Sequence, residues 1–146
     1  IAGMYESIKN INGRIKFNDY KTEFISNKNT LLKKYFINKI TNVKNIKITG
    51  SSSQRLPNHI SFILFNNQLN PIKAYKIINY MSDNNVEISS GSACSSSSGK
   101  PSLILENMGY DSNQLYSNIR VSLGTMNKKS DIDKLFKLIQ NCIKKF

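Results

Sequence analysis

Apolar side chains recur every three or four positions along the first part of the chain, as they do in amphipathic helices. The first such set consists of Met4, Tyr5, Ile8 and Ile11. This spacing predicts a helix over residues 2–12, which Gly13 can end. A second helix is predicted over residues 20–40. Its apolar side is expected to carry Tyr20, Phe24, Leu31, Tyr35 and Phe36. Its solvent side is expected to carry Lys21, Lys28, Lys33, Lys34 and Lys39.

Four shorter segments have the patterns of β-strands. Residues 45–50 alternate between polar and apolar side chains and stop at Gly50, which is typical of a half-buried strand. Residues 60–65 are mostly apolar and β-prone, so they predict a central strand. Residues 86–89 predict a short strand, and residues 119–124 alternate as a further strand.

Capping residues predict three more helices. Asn70 and Pro71 are types preferred at the N-cap and at the first helical position. The helix that they begin is expected to bury Ala74, Tyr75, Ile78 and Met81. Pro101 can open a short helix that Gly109 closes, and residues 130–133 resemble a capping box before a final helix. That final helix is expected to bury Ile132, Leu135, Phe136, Ile139, Cys142 and Ile143.

The order of these elements predicts an α/β fold of the α+β kind. Helices and short strands follow one another irregularly, which favours a small mixed sheet with helices packed on it. The 146 residues are enough for one domain with a real core, and no repeat or linker divides them. No apolar run is long enough to span a membrane and no signal peptide is visible, so we expect a cytoplasmic protein.

The net charge of +12 changes this picture less than its size suggests. A small basic domain can bind nucleic acid, but only three of the 21 basic residues are arginine, the type preferred for phosphate and base recognition. Lysine, asparagine and isoleucine are all used heavily, which is typical of an AT-rich genome. We therefore favour genome composition over a nucleic-acid surface, and keep a basic nucleic-acid-binding module as an alternative.

The two cysteines occupy different surroundings. Cys142 has apolar neighbours at helical spacing and is expected in the core. Cys94 lies in a loop of small residues, 89–100, where a thiol of a basic protein is prone to ionise and react. The residues alone leave two interpretations of Cys94 open, a reactive nucleophile or an incidental loop thiol. His59, the only histidine, is expected to have a surface or capping role.

Two further features are weighed for binding. Residues 94–101 lack the first glycine and the final Ser/Thr of a phosphate-binding loop, and Pro101 removes a backbone N–H, so nucleotide binding is not expected. Arg120 alternates with Ile119 and Val121 and therefore faces away from them. It is either an ordinary solvent-facing arginine or a guanidinium that binds a carboxylate from a rigid strand.

Several motifs in order along the chain resemble the NifS/IscS-type cysteine desulfurases. These are pyridoxal-phosphate enzymes of the class V aminotransferase family. The motifs are Ile-Ala-Gly-Met at 1–4, Arg-Leu-Pro-Asn at 55–58, Ser-Ser-Gly-Ser-Ala-Cys-Ser-Ser at 89–96, Pro-Ser at 101–102, Met-Gly at 108–109 and Ile-Arg-Val-Ser-Leu-Gly at 119–124. The long cysteine loop resembles the group whose mobile cysteine delivers sulfur to a scaffold protein.

The resemblance implies roles for two residues. Cys94 would be the nucleophile that takes the sulfur of L-cysteine, leaving L-alanine and a persulfide. That persulfide would pass to a sulfur acceptor or an iron–sulfur scaffold protein, where Cys94 can also contact a nascent cluster. Arg120 would bind the substrate carboxylate. The resemblance implies no other metal contact.

The resemblance also implies that much of the enzyme lies upstream. The lysine that attaches pyridoxal phosphate, the stacking histidine and the acidic partner of the pyridine ring are not matched here, and Lys100 stands where an acidic residue is common. Because the chain also begins with Ile1 and not with Met, we expect it to be a C-terminal fragment that is inactive alone. The full-length enzyme is expected to be a homodimer. Residues 1–18 would end the large domain, and residues 19–146 would form the small domain of a fold-type I enzyme. A persulfide-relay protein without the cofactor is a further alternative.

Overall fold

The computed structural model describes residues 23–51, 54–91 and 101–146. The predicted helix over residues 2–12 and most of the cysteine loop lie outside these ranges. The elements in chain order are α1 (Glu23–Ile40), β1 (Ile46–Ile48), β2 (His59–Leu64), α2 (Ala74–Ser82), β3 (Ser89–Ser90), α3 (Leu103–Asn107), α4 (Ser112–Leu115), β4 (Asn118–Ser122) and α5 (Lys129–Lys145). None of the described helices is both long enough and apolar enough to cross a bilayer.

The described strands form one four-stranded sheet in the order β1-β2-β4-β3. Residues 60–65 were predicted as a central strand, and β2 is indeed an inner strand. All three pairings are antiparallel, with Ser61 opposite Arg120 and Ser89 on the other side of Arg120. The predicted α/β fold class is confirmed. The sheet is antiparallel rather than mixed, because no helical crossover joins neighbouring strands in parallel.

Helices α1, α2 and α5 supply the side chains that pack with one face of the sheet. Alternate residues of β2 and β4 meet them, and Ile60, Phe62 and Ile119 are almost fully buried there. The Phe36 ring of α1 meets the Phe62 ring edge-on, with centroids 5.9 Å apart. Side chains that alternate along the strands and side chains that recur every 3.6 residues along the helices therefore share one core.

Helix α1 is rotated about its axis relative to the prediction. Phe36 is buried as expected, but Leu31 is 66% exposed and Leu32 takes its place in the core. Lys33, predicted on the solvent side, is buried, and its Nζ donates to the backbone oxygen of Leu56 at 3.0 Å. The segment has apolar residues on two adjacent stripes, and contact with the sheet selects one of them. Tyr20, Lys21 and the Phe24 side chain lie outside the described residues.

Helix α2 begins at Ala74, later than Asn70 and Pro71 predicted. The chain is still extended at Pro71, which forms a bridge with Phe65. The Asn66 side chain accepts hydrogen bonds from backbone N–H groups and so closes the preceding turn. Starting later changes which residues are buried: Ala74, Ile77 and Met81 are buried, whereas Tyr75 is 62% exposed and Ile78 is only partly buried.

The later elements follow the prediction more closely. Helix α3 is capped by the Ser102 side chain, and Gly109 follows it with a left-handed φ of 80°. Asp131 accepts a hydrogen bond from the backbone N–H of Lys128 at 2.9 Å, so the cap of α5 lies at residues 128–131, two residues before the predicted 130–133. The predicted stripe of α5 is buried except Phe136, which is only partly buried. The strand predicted over residues 86–89 was misplaced, because β3 spans Ser89–Ser90 and shares only Ser89 with it, and α4 was not predicted.

Candidate functional site

The second face of the sheet carries polar side chains. In an antiparallel sheet, directly opposed residues share a face and alternate residues along a strand return to it. Arg120 therefore shares its face with Ser61 and Ser89, which are opposite it in register. We call this surface the polar face. It consists of one apolar residue, Ile63, and of eight polar ones: Lys47, Thr49, His59, Ser61, Ser89, Asn118, Arg120 and Ser122.

Arg120 lies in the middle of the polar face on β4. The predicted alternation is confirmed, because Ile119 and Val121 are buried in the core while Arg120 is half-buried on the other side. Its Nε donates to the Ser89 Oγ at 3.2 Å. Among the described residues no carboxylate forms an ion pair with it, so its guanidinium is available to bind an anion. Its role as a carboxylate ligand stays a prediction.

Beside Arg120, the buried residue Asn118 organises a network that sequence reasoning missed. Its Nδ2 donates to Thr49 Oγ1 at 3.1 Å, and its Oδ1 accepts from Ser61 Oγ at 3.2 Å. The Thr49 and Ser61 hydroxyl oxygens are themselves 2.6 Å apart, which closes a ring of hydrogen bonds across three neighbouring chain segments. The available signal was that Asn118 is in alternation with Arg120 and therefore on the same face of β4.

The beginning of the cysteine loop is in tight contact with this network. The Gly91 N–H donates to the Asn118 backbone oxygen at 3.1 Å. A Cβ built on Gly91 would lie 2.2 Å from Asn118 Oδ1. Gly91 is not among the glycines with positive φ, so the position requires space rather than a left-handed backbone.

We expect Gly91→Ala to lower the free energy of unfolding by about 1–3 kcal/mol, because the added methyl overpacks against a buried amide. Urea unfolding of the chain measures it. Gly124→Ala is the matched control, since its Cβ would meet nothing closer than 3.6 Å. Asn118→Ser shortens the side chain that the added methyl would meet. The double variant should therefore lose less free energy of unfolding than the sum of the two single variants. Equal losses in the two glycine variants would contradict the overpacking.

Three cationic side chains, those of Arg55, Arg120 and Lys33, lie near enough to His59 to act on its charge. Arg55 of the Arg-Leu-Pro-Asn motif donates from Nε to the Ser51 backbone oxygen at 3.0 Å and from Nη2 to that of Thr49. It thereby ties down the turn after β1. Burial, reinforced by the positive charges of Arg55, Arg120 and Lys33, lowers the pKa of His59 and so favours its neutral imidazole. His59 is half-buried on the polar face.

The structure tests the predicted surroundings of only one of the two cysteines. Cys142 is fully buried in the core, as predicted, and burial raises the pKa of its thiol to about 11. A thiol in this state is a poor nucleophile at neutral pH. Cys94 and Lys100 lie outside the described residues, so the nucleophile interpretation of Cys94 stays a prediction.

The described residues do not fit pyridoxal phosphate, the cofactor that the resemblance implies. A cleft of about 430 Å³ lies between residues 85–88 and the start of α5, and the carboxylates of Glu87 and Asp131 line it. Lys134 also lines the cleft, but the two carboxylates leave its lining with a net negative charge, which disfavours a phosphate group. On the polar face Thr49 and Asn118 are buried, and their hydroxyl and amide groups are engaged with each other and with Ser61. We therefore assign no cofactor contact to the described residues.

Helix α3 adds an apolar patch that the described chain leaves uncovered. Leu103 is 68% exposed, Ile104 is 74% exposed and Met108 is 49% exposed. The Tyr110 ring after this helix lies 4.9 Å from the Nζ of Lys47, which is on the polar face. The apolar patch and the polar face are thus neighbours.

Comparisons with known proteins place the chain among related sequences. The profile of a family described as aminotransferase class-V matches residues 5–135. A protein of Dictyoglomus turgidum named cysteine desulfurase IscS is 31% identical over 117 residues, which cover 80% of this chain and 28% of the relative. A protein of the same name from Methanosarcina thermophila is 27% identical over 143 residues, covering 96% of this chain and 34% of the relative.

A solved structure gives the same result for the fold. The NifS-like protein from Rickettsia africae superposes with a TM-score of 0.64 and 24% identity, over 80% of this chain and 28% of its own. The resemblance to NifS/IscS-type proteins is confirmed at the level of family and fold. The chain spans only about a quarter to a third of the length of the curated relatives that it matches.

Proposed function

Because the chain belongs to the aminotransferase class-V family, we propose that it is the C-terminal part of a NifS/IscS-type cysteine desulfurase. The observation that carries the proposal is the half-buried Arg120, centred on the polar face with no carboxylate partner among the described residues. A guanidinium on a rigid strand can bind the substrate carboxylate through two parallel hydrogen bonds. The similarity to relatives named cysteine desulfurase IscS supports L-cysteine as the substrate.

In this proposal Cys94 is the sulfur acceptor. Its thiolate attacks the sulfur of L-cysteine, so that an S–S bond forms and the substrate C–S bond breaks. The electron pair of the broken bond stays with the substrate's β-carbon, which takes up a proton as L-alanine leaves. The persulfide on Cys94 then passes to a sulfur-acceptor protein or an iron–sulfur scaffold. Cys142 cannot substitute for Cys94, because it is buried and its thiol has a pKa of about 11.

The remaining parts of the site belong to the longer enzyme. Pyridoxal phosphate, bound outside the described residues, would supply the electron sink for this cleavage. We propose that residues 1–18 end the large domain, that residues 19–146 form the small domain, and that the full-length enzyme is a cytoplasmic homodimer. The exposed apolar patch of Leu103, Ile104 and Met108 supports a covering layer from the rest of that enzyme.

The test compares this chain with the full-length protein that contains it. Each is incubated with pyridoxal phosphate and L-cysteine, and alanine and sulfide are measured. We expect turnover from the full-length protein and none from the 146 residues alone. Turnover by the chain alone would overturn the fragment proposal, and no alanine from the full-length protein would overturn the desulfurase proposal.

A further inference from the structure

We propose that Ser89 is a positioning residue that sets how Arg120 binds a carboxylate. The proposal rests on the proposed function, in which Arg120 binds the carboxylate of L-cysteine. Ser89 is the first residue of the cysteine motif, and it pairs with the strand that carries Arg120. Its hydroxyl would select one of two possible binding geometries of the guanidinium.

The choice of geometry follows from which donors are engaged. A guanidinium carries five N–H donors and can hold a carboxylate either side-on, through Nε and one terminal nitrogen, or end-on, through both terminal nitrogens. The Arg120 Nε already donates to Ser89 Oγ at 3.2 Å. Within the described part of the chain the side chain makes no other hydrogen bond, so its terminal nitrogens keep four N–H groups for a ligand. The bond to Ser89 therefore favours end-on binding.

Ser89 is held in place by its own surroundings. Strand β3 is only two residues long and lies at the edge of the sheet, where a strand is easily displaced. Register with β4 places Ser89 opposite Arg120 and Ser90 opposite Ile119. The hydrogen bond from the Gly91 N–H to Asn118 continues this pairing and secures the end of the strand. The serine hydroxyl thus faces Nε from a fixed position.

Two variants of Ser89 separate this role from a general structural one. Ser89→Ala removes the acceptor and frees Nε, so the guanidinium can rotate and bind side-on. Ser89→Thr keeps a hydroxyl at the same carbon, and a β-branched residue suits a strand. Ser82→Ala is the matched control, because that serine donates to the Glu87 carboxylate on the exposed side of α2, away from the polar face.

The experiment measures kcat and KM for L-cysteine in the full-length enzyme, together with the Kd of the product L-alanine. For Ser89→Ala we expect KM and Kd to rise roughly 3- to 10-fold with kcat nearly unchanged, the effect of losing one modest hydrogen bond. Ser89→Thr should restore both values, and Ser82→Ala should leave them unchanged. In NMR spectra of the ¹⁵N-labelled chain, the Arg120 Nε–H should exchange with solvent faster in Ser89→Ala than in the unmodified chain.

The outcomes distinguish this inference from the proposed function. If Arg120→Ala raises KM strongly but Ser89→Ala does not, Arg120 binds the carboxylate and Ser89 does not position it. If Ser89→Thr is as impaired as Ser89→Ala, the hydroxyl is not the cause and the positioning role is wrong. If Arg120→Ala leaves KM unchanged, the proposed function of Arg120 fails, while the NMR exchange rates still report whether the Ser89 bond forms.

Discussion

Replacing Cys94 with serine in the full-length enzyme should abolish the formation of persulfide. A serine oxygen cannot accept sulfur from L-cysteine, and the loss of a covalent nucleophile costs roughly 10⁴- to 10⁶-fold in well-studied hydrolases. We therefore expect sulfide and alanine production to fall by at least about 10³-fold. Enzymatic alanine release measures turnover, and mass spectrometry of the protein after cysteine treatment detects the added sulfur atom.

Cys142→Ser is the matched control, because it removes the other thiol of the chain. Cys142 is buried, with a thiol pKa of about 11, so it contributes negligible thiolate at pH 7. We expect transfer activity to persist, although stability will fall because a hydroxyl replaces a buried thiol in the core. If the persulfide disappears in Cys142→Ser but survives in Cys94→Ser, then Cys142 and not Cys94 is the sulfur acceptor.

Replacing Arg120 should weaken substrate binding more than any other single change on the polar face. Hydrogen bonds to charged groups contribute about 1.5–3 kcal/mol, so Arg120→Ala should raise KM for L-cysteine roughly 10- to 150-fold. Arg120→Lys keeps the charge but loses the planar pair of donors, and we expect a smaller rise. Steady-state kinetics of the full-length enzyme measure both variants.

Lys47→Ala controls for net charge in this experiment. Lys47 lies on the same face, but it is exposed and its Nζ is 4.9 Å from the Tyr110 ring. Because salt screens exposed charges, its removal should change KM by less than about twofold. If both variants raise KM equally, Arg120 acts through the general field of the surface and not through direct contact.

Periodicity predicted the parts of this fold whose burial pattern is clear. Helix α5 has a single apolar stripe, and β4 alternates cleanly, so both were predicted with nearly the observed burial. The orientation of Arg120 followed directly from the alternation of β4. These are the elements in which one regular spacing leaves a single possible buried face.

Tertiary contacts decided the elements that were predicted wrongly. In α1 the pattern allowed either Leu31 or Leu32 to face the core, and contact with the sheet selected Leu32 and buried Lys33. At Asn70 the local capping signal was outweighed by the bridge between Pro71 and Phe65. Asn118 and Gly91 were missed because each depends on the space left by the other, which no spacing along the chain records.

The ring of hydrogen bonds through Thr49, Ser61 and Asn118 has a mechanical consequence. It cross-links β2 and β4 to the segment that follows β1, so these three segments resist sliding past one another. We call the three linked segments the plate. Arg120 and Gly91 are both attached to that plate. The proposed anchor for the substrate carboxylate and the point from which the chain continues toward Cys94 therefore belong to one hydrogen-bonded unit, so a change that shifts one of them shifts the other as well.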